Sequence, residues 1–458
     1  MSFPKYPAYK DSEVEWIGEI PVGWQSTTFK TVLALNDGGV WGSDPDGQDD
    51  CLVLRSTDQT INGQWEISDP AQRKLTPKER ENHVLEEGDL LITKSSGSEF
   101  HIGKTTIVDK NVAALKACFS NFMQRLRVCD RCDPLFFWYV LNSSVAREQF
   151  FYLSNSTTGL ANLSAGLINN SYVPLPPLSE QQAIASFLDR ECGKIDALIA
   201  EQERLIALLA EKRQAVISHA VTKGLNPNAP MKDSGIPWIG MVPEGWEIKP
   251  IKMIAEIFGR IGYRGYTSAD IVDETVGVIS LSPSNMNNGE VCFDGKNTYI
   301  TKQKYEESPE IKISPNDILL VKTGSTIGKI AYVYDQNFIE STINPQIVVF
   351  KKIKIDNKFL FFVLSTNFMR SEFENGNVGG TIPTMSQAYI SNLRIMIPTI
   401  SEQKIISNYL SEQERRFSSE REYILKITSL LKERRAALIS AAVTGKIDMR
   451  AQSKALAA

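Results

Sequence analysis

The residues in this chain best placed to do chemistry are lysines set where short apolar runs end. Lys94-Ser95-Ser96 follows Leu90-Leu91-Ile92-Thr93, and Lys322-Thr323 follows Ile318-Leu319-Leu320-Val321. A buried strand ending at a polar turn lets backbone amides and an ammonium approach a phosphate. Lys104 and Lys329 come soon after, each preceded by a glycine. The loop GRIGYRGYTS, from Gly259, mixes Arg260 and Arg264 with Tyr263 and Tyr266. Arginine can read guanine bidentately, and tyrosine packs on sugar and base. Lys94, Ser95, Ser96, Lys104, Arg260, Tyr263, Arg264, Tyr266, Lys322, Thr323 and Lys329 are therefore the candidate DNA contacts. The alternative for each is an ordinary solvated basic turn.

Other chemistries fit less well. GSEFHIGKTT resembles a phosphate-cradling loop, but five residues separate Gly97 from Gly103 where that loop needs four. Its counterpart, GSTIGKI, has three and lacks a Ser or Thr after Lys329. DPLFFWY at Asp133 echoes an adenine-methyltransferase motif, yet it has one proline, falls on an expected helix and follows no glycine-rich cofactor loop. Cys129 and Cys132 form a lone CxxC, whereas a structural zinc would want a second pair. The histidines are His83, His101 and His219, too few for a Ser/His/Asp or metal constellation. No catalytic residue, bound cofactor or metal is expected in the chain itself.

The elements that must carry these residues come from a duplication. At 458 residues and 42% hydrophobic, the chain is too long for one ordinary core, so two or more domains are expected. DSEVEWIGEIPVGW from Asp11 returns as DSGIPWIGMVPEGW from Asp233, an offset of 222. The same offset relates two ungapped runs, SEQQAIASFLDRE from Ser179 and SEQKIISNYLSEQ from Ser401, which continue to AVT at 220–222 and 442–444. The stretches between agree only in pattern.

Each long run lacks proline, and 179–222 has a single glycine, Gly193. Apolar residues recur every three or four positions, which predicts amphipathic helices. Leu188, Ile195, Ile199, Ile206, Leu209 and Val216 mark the first stripe; Leu410, Phe417, Ile424, Leu431 and Leu438 mark the second. Ser179 with Gln182 suggests a capping box, and Lys223-Gly224 a stop. A helix of this length spans about 65 Å. Such a rod cannot bury its stripe alone, and its natural partner is the other rod. Gln202, Arg213, Arg421 and Arg435 interrupt the stripes, which could set register or mark a surface for another protein.

The middles, 25–175 and 247–397, alternate β-type runs with turns, each with one expected helix, near Leu135–Phe151 and Lys358–Phe373. The expected fold is α+β: two β-rich domains, each with a curved, mostly antiparallel sheet, joined by two long helices that pair with each other as a coiled coil, the whole an internal repeat. The boundaries are 1–175, 176–224, 225–397, 398–447 and a tail, 448–458. The net charge of −4 gives no global signal for nucleic acid, so any basic surface must be local. No apolar run reaches the roughly 18 residues of a membrane helix, and MSFPKYPAYKDSE lacks a signal-peptide core. A cytoplasmic protein with reduced thiols and no membrane contact is expected.

The paired variable middles, the leading EWIG/PWIG-x-x-P-x-GW phrases and the helix that follows PLPPLSEQ at Pro174–Gln181 resemble the specificity subunits of Type I restriction–modification enzymes. The resemblance covers nearly the whole chain. The second copy departs from it at 397–403, reading IPTISEQ. It implies that each middle is a target recognition domain and that the two helices pair antiparallel with pseudo-two-fold symmetry, in a non-catalytic subunit for phage defence that reads a bipartite, asymmetric site on double-stranded DNA, one half per domain. It further implies two modification subunits carrying S-adenosylmethionine for adenine N6 methylation. Two restriction subunits using ATP and Mg complete the nuclease. A coiled-coil scaffold with two protein-binding β domains is the alternative.

Overall fold

The computed structural model describes residues 3–96, 101–154, 161–236, 239–260, 265–377 and 382–450. The chain forms two compact units, 1–202 with 425–458 and 203–424. This division differs from the expected segments, which set the helices apart from the domains. Each unit takes half of each long helix, because the helix ends are packed into its core.

In the first unit a hairpin pairs Tyr9–Asp11 with Glu19–Pro21. Its loop is closed by the Ser12 N–H donating to the Gly18 carbonyl at 3.0 Å, with Gly18 at φ +67°. The main antiparallel sheet runs Leu33–Gly38, Met123–Val128, Leu90–Thr93, Thr105–Ile107. A second sheet sets Cys118–Phe119 parallel to Cys51–Leu54, which pairs antiparallel with Ala71–Arg73. Leu90, Leu91 and Ile92 are buried on both faces, which explains why that run reads as continuously apolar.

The second unit repeats this plan. Met231–Asp233 pairs with Met241–Pro243, and Ser234 again donates to a left-handed glycine, Gly240, at 3.0 Å. Trp238 of the repeated phrase lies outside the described residues. The main sheet runs Glu256–Gly259, Ile347–Lys351, Ile318–Val321, Ile330–Tyr332, the same order as in the first unit, and then adds Glu290–Val291 and Met286–Asn287. Ser341–Ile343 lies parallel to Val278–Leu281, the counterpart of the parallel pair above.

Each expected middle helix is instead two. Pro134–Asn142 and Ser144–Ser154 are divided at Ser143, whose backbone is extended and whose hydroxyl donates to the Val140 carbonyl. Asn357–Leu364 and Asn367–Asn375 are divided where Thr366 caps the second helix. Ser and Thr side chains compete with the helical hydrogen bonds, and here they win.

The long helices are Leu178–Lys223 and Ile400–Val443. In the first unit Ile184, Phe187, Leu188 and Cys192 share a core with Ile439, Ala442 and Val443, and Arg435 pairs with Asp196 at 2.8 Å. In the second, Ile217, Ala220 and Val221 share a core with Ile406 and Leu410, and Arg213 pairs with Glu414 at 2.9 Å. The start of one helix thus meets the end of the other in both units, an antiparallel arrangement. Leu188, Ile195, Leu410, Phe417 and Ile424 are buried; Ile199, Ile206, Leu209, Val216, Leu431 and Leu438 are half-buried. The second helix returns the chain to the unit in which it began: the Asp448 N–H donates to the Pro4 carbonyl at 2.8 Å.

Candidate nucleic-acid interface

The repeated residues explain how each recognition domain is fastened to its helix. Trp24, 1% exposed, donates its indole N–H to Glu180 at 2.9 Å, and Trp246 donates to Glu402 at 3.1 Å. The next residue latches the domain itself. Gln181 accepts from the Asp133 N–H at 2.8 Å and donates to the Pro176 carbonyl at 2.9 Å. Gln403 accepts from the Asp356 N–H at 2.9 Å and donates to the Pro398 carbonyl at 2.8 Å. Asp133 and Asp356 cap the middle helices through Phe136 and Phe359, so DPLFFWY is a capped core helix. The expected Ser179–Gln182 capping box is corrected. The helix already begins at Leu178, and Glu180 and Gln181 bond outward instead. Sequence reading matched the two Ser-Glu-Gln triplets without assigning this role; their identity beside repeated tryptophans was the available signal.

Lys94 and Lys322 occupy equivalent turns. The Lys94 and Ser95 N–H groups both donate to the Phe122 carbonyl, at 3.0 and 3.4 Å, and the Lys94 carbonyl accepts from Leu163 at 2.7 Å. Lys322 and Thr323 do the same with Gln346, at 2.8 and 3.3 Å, and the Lys322 carbonyl accepts from Met385 at 2.8 Å. Both side chains are half-buried, and burial lowers both ammonium pKa values. Ser95 donates its hydroxyl to Asn162 at 2.9 Å, Ser96 lies on the two-residue strand that pairs with Ala161–Asn162, and Thr323 bridges Thr384.

The glycine-lysine pairs behave differently. Lys104 is 3% exposed, and its ammonium donates to the carbonyls of Ser56 and Gln59 at 2.5 and 2.8 Å. Lys329 donates to the Pro283 carbonyl at 2.8 Å, on the equivalent 3-10 turn of the second unit. Gly103 and Gly328 have positive φ and pack on Phe150 and Phe373. This motif is a latch on a neighbouring turn, and the burial of Lys104 corrects the expectation that it faces phosphate; Lys329 is half-buried. Arg260 is corrected likewise. It is 5% exposed, and its guanidinium donates to the Ile343 carbonyl at 3.1 Å and to Thr342 at 3.2 Å. Tyr266 lies half-buried under that guanidinium, 5.5 Å away, and accepts from Ser280 at 3.3 Å. Tyr263 and Arg264 lie outside the described residues. In the first domain the acidic stretch NDGGVWGSDPDGQDD, residues 36–50, folds onto its own cations: Asp44 pairs with Arg73 at 2.7 Å and Asp46 with Lys74.

A family model described as the Type I restriction modification DNA specificity domain matches residues 55–206 and 243–429. The chain belongs to that family. Each match takes in most of one recognition domain and part of the long helix after it. The Type I restriction enzyme MjaVIII specificity subunit of Methanocaldococcus jannaschii is 25% identical over 384 residues, 82% of each chain. A chain from a structure of complex assembly and conformational transition in the type I R-M system shares the fold, with a TM-score of 0.66 at 15% identity over 93% of this chain and 99% of that one. The HsdS subunit from Thermoanaerobacter tengcongensis superposes with a TM-score of 0.50 at 14% identity, over 93% and 98%. As a Type I specificity subunit, the chain is a recognition component and not itself a catalyst.

Proposed function

We propose that each unit of this specificity subunit reads one half of a bipartite, asymmetric site on double-stranded DNA, and that the paired helices set the spacing between the halves. The observation that carries this reading is the pair of equivalent turns at Lys94 and Lys322, built on one backbone plan but surrounded by different side chains. Two like frames with unlike faces suit a site whose halves differ.

The helices also dock two modification subunits in this reading. Leu208 and Leu430 hold matching positions in the repeat and are 50% and 54% exposed, so each helix offers a similar apolar point. S-adenosylmethionine is bound on those partners, and ATP with Mg on two restriction subunits. Exchanging residues 25–160 for the corresponding segment of another family member tests the reading. Methylation mapping of the reconstituted complex should show one half-site changed and the other kept. A change in both halves, or a complex that binds no DNA, would overturn it.

A further inference from the structure

The two equivalent lysines are not equally held. In the first domain the Lys94 ammonium donates to Gln124 Oε1 at 3.3 Å. Gln124 is 3% exposed and passes its own N–H to Asn36 Oδ1 at 2.6 Å; Asn36 in turn donates to Asn169 Oδ1 at 2.7 Å. Every amide in this chain of bonds points the same way, with its acceptor toward Lys94 and its donor away. The network therefore presents one oriented oxygen to the ammonium, leaving it two further N–H donors. Gly38 forms one wall: a Cβ there would stand 3.1 Å from Lys94 Nζ.

Among the described residues the second domain has no such relay. Gly38 pairs with Gln124 across the sheet as Gly259 pairs with Val348, and Asn36 pairs with Leu126 as Ile257 pairs with Phe350. Val348 and Ile257 thus stand where the first domain has Gln124 and Asn36. Among the described residues no side chain accepts from the Lys322 ammonium, and burial alone lowers its pKa.

We propose that Gln124, itself held by Asn36, is a positioning residue that fixes the Lys94 ammonium as a directional donor to a base acceptor edge in the half-site of the first domain. Guanine O6/N7 is the edge that offers two acceptors together. Lys322, without an orienting partner among the described residues, serves a phosphate contact. The inference rests on the reading of this chain as a two-headed DNA reader, and adds to it a difference in recognition chemistry between the heads. A fixed donor stripped of part of its water discriminates by direction, whereas a phosphate accepts a cation from many.

The test uses the full specificity subunit reconstituted with its modification subunits on DNA randomised within both half-sites. Gln124→Val with Asn36→Ile gives the first domain the apolar pair that the second already accommodates. Gly38→Ala crowds the ammonium while leaving the network in place. In both variants the base preference at one position of one half-site should relax roughly tenfold or more. The other half-site and the salt dependence of binding should be unchanged. Lys322→Met should weaken binding evenly across bases and reduce the salt slope by about one. Unaltered base preference in Gly38→Ala and in the double variant would overturn the inference, as would even weakening with a reduced salt slope in Lys94→Met. If the double variant does not assemble, Gly38→Ala decides alone. A wild-type complex with no bipartite preference would remove the underlying reading, a distinguishable result.

Discussion

Burial holds the Lys104 ammonium at a pKa of about 8, against an ordinary value of 10.5. Between those values the unfolded chain binds a proton that the folded chain does not, so stability rises with pH across that window and the protonated side chain costs stability below it. The full effect is at most roughly 3 kcal/mol. Burial also raises the Cys118, Cys132 and Cys192 thiols, which costs stability as pH rises, so the difference between two proteins is the measure: from pH 7.5 to pH 10 chemical denaturation should show the wild type gaining relative to Lys104→Met, and an identical pH response in both would exclude the latch as a source. At this scale the sequence was legible where the run of residue types alone decides, as at Leu90-Leu91-Ile92 and Ile318-Leu319-Leu320, apolar runs that are buried throughout. It was not legible where a cation's partner is a carbonyl distant in the chain. Nothing local to Lys104 points to Ser56, and nothing local to Arg260 points to Ile343.

Each long helix ends at a glycine in the left-handed region, Gly224 and Gly445, both at φ +74°. An alanine at either position is strained by about 1 kcal/mol or more. The surroundings differ. A Cβ on Gly445 would lie 2.4 Å from Pro21 Cδ, whereas one on Gly224 would meet Glu402 and Trp246 at 3.3 Å. Gly445→Ala should lower the melting temperature clearly more than Gly224→Ala by calorimetry; the reverse order would mean that these ends are not seated as described. The helices were readable because apolar spacing over so many turns leaves few alternatives. The broken middle helices were not, because a single serine or threonine forming a local backbone bond leaves no mark on periodicity.

The repeat of the whole chain was visible in its sequence because the matched segments are those that fasten domain to helix. Trp24 with Glu180 and Trp246 with Glu402 must both make the same bond. The middles diverged wherever the plan leaves the side chain open, as at Gln124 and Val348, so their correspondence needed strand register to be seen. Both long helices pass from one unit into the other. Removing about one helical turn within 195–210 should alter the number of unread base pairs between half-sites or abolish assembly. Methylation mapping checks this, and unchanged spacing with intact activity would refute a measuring role for the helices.

The bond from Asp448 to Pro4 closes the course of the backbone almost into a ring. The step from Asp448 to Pro4 then holds the same place in the cycle as the short connection at 224–230, which joins a helix end to the next hairpin. Where new termini are cut should matter little to such a cycle. A circular permutant opened near residue 228, with the segments at 3 and 450 tethered by a short flexible peptide, should melt within a few degrees of the parent, and a much lower melting temperature would count against the ring.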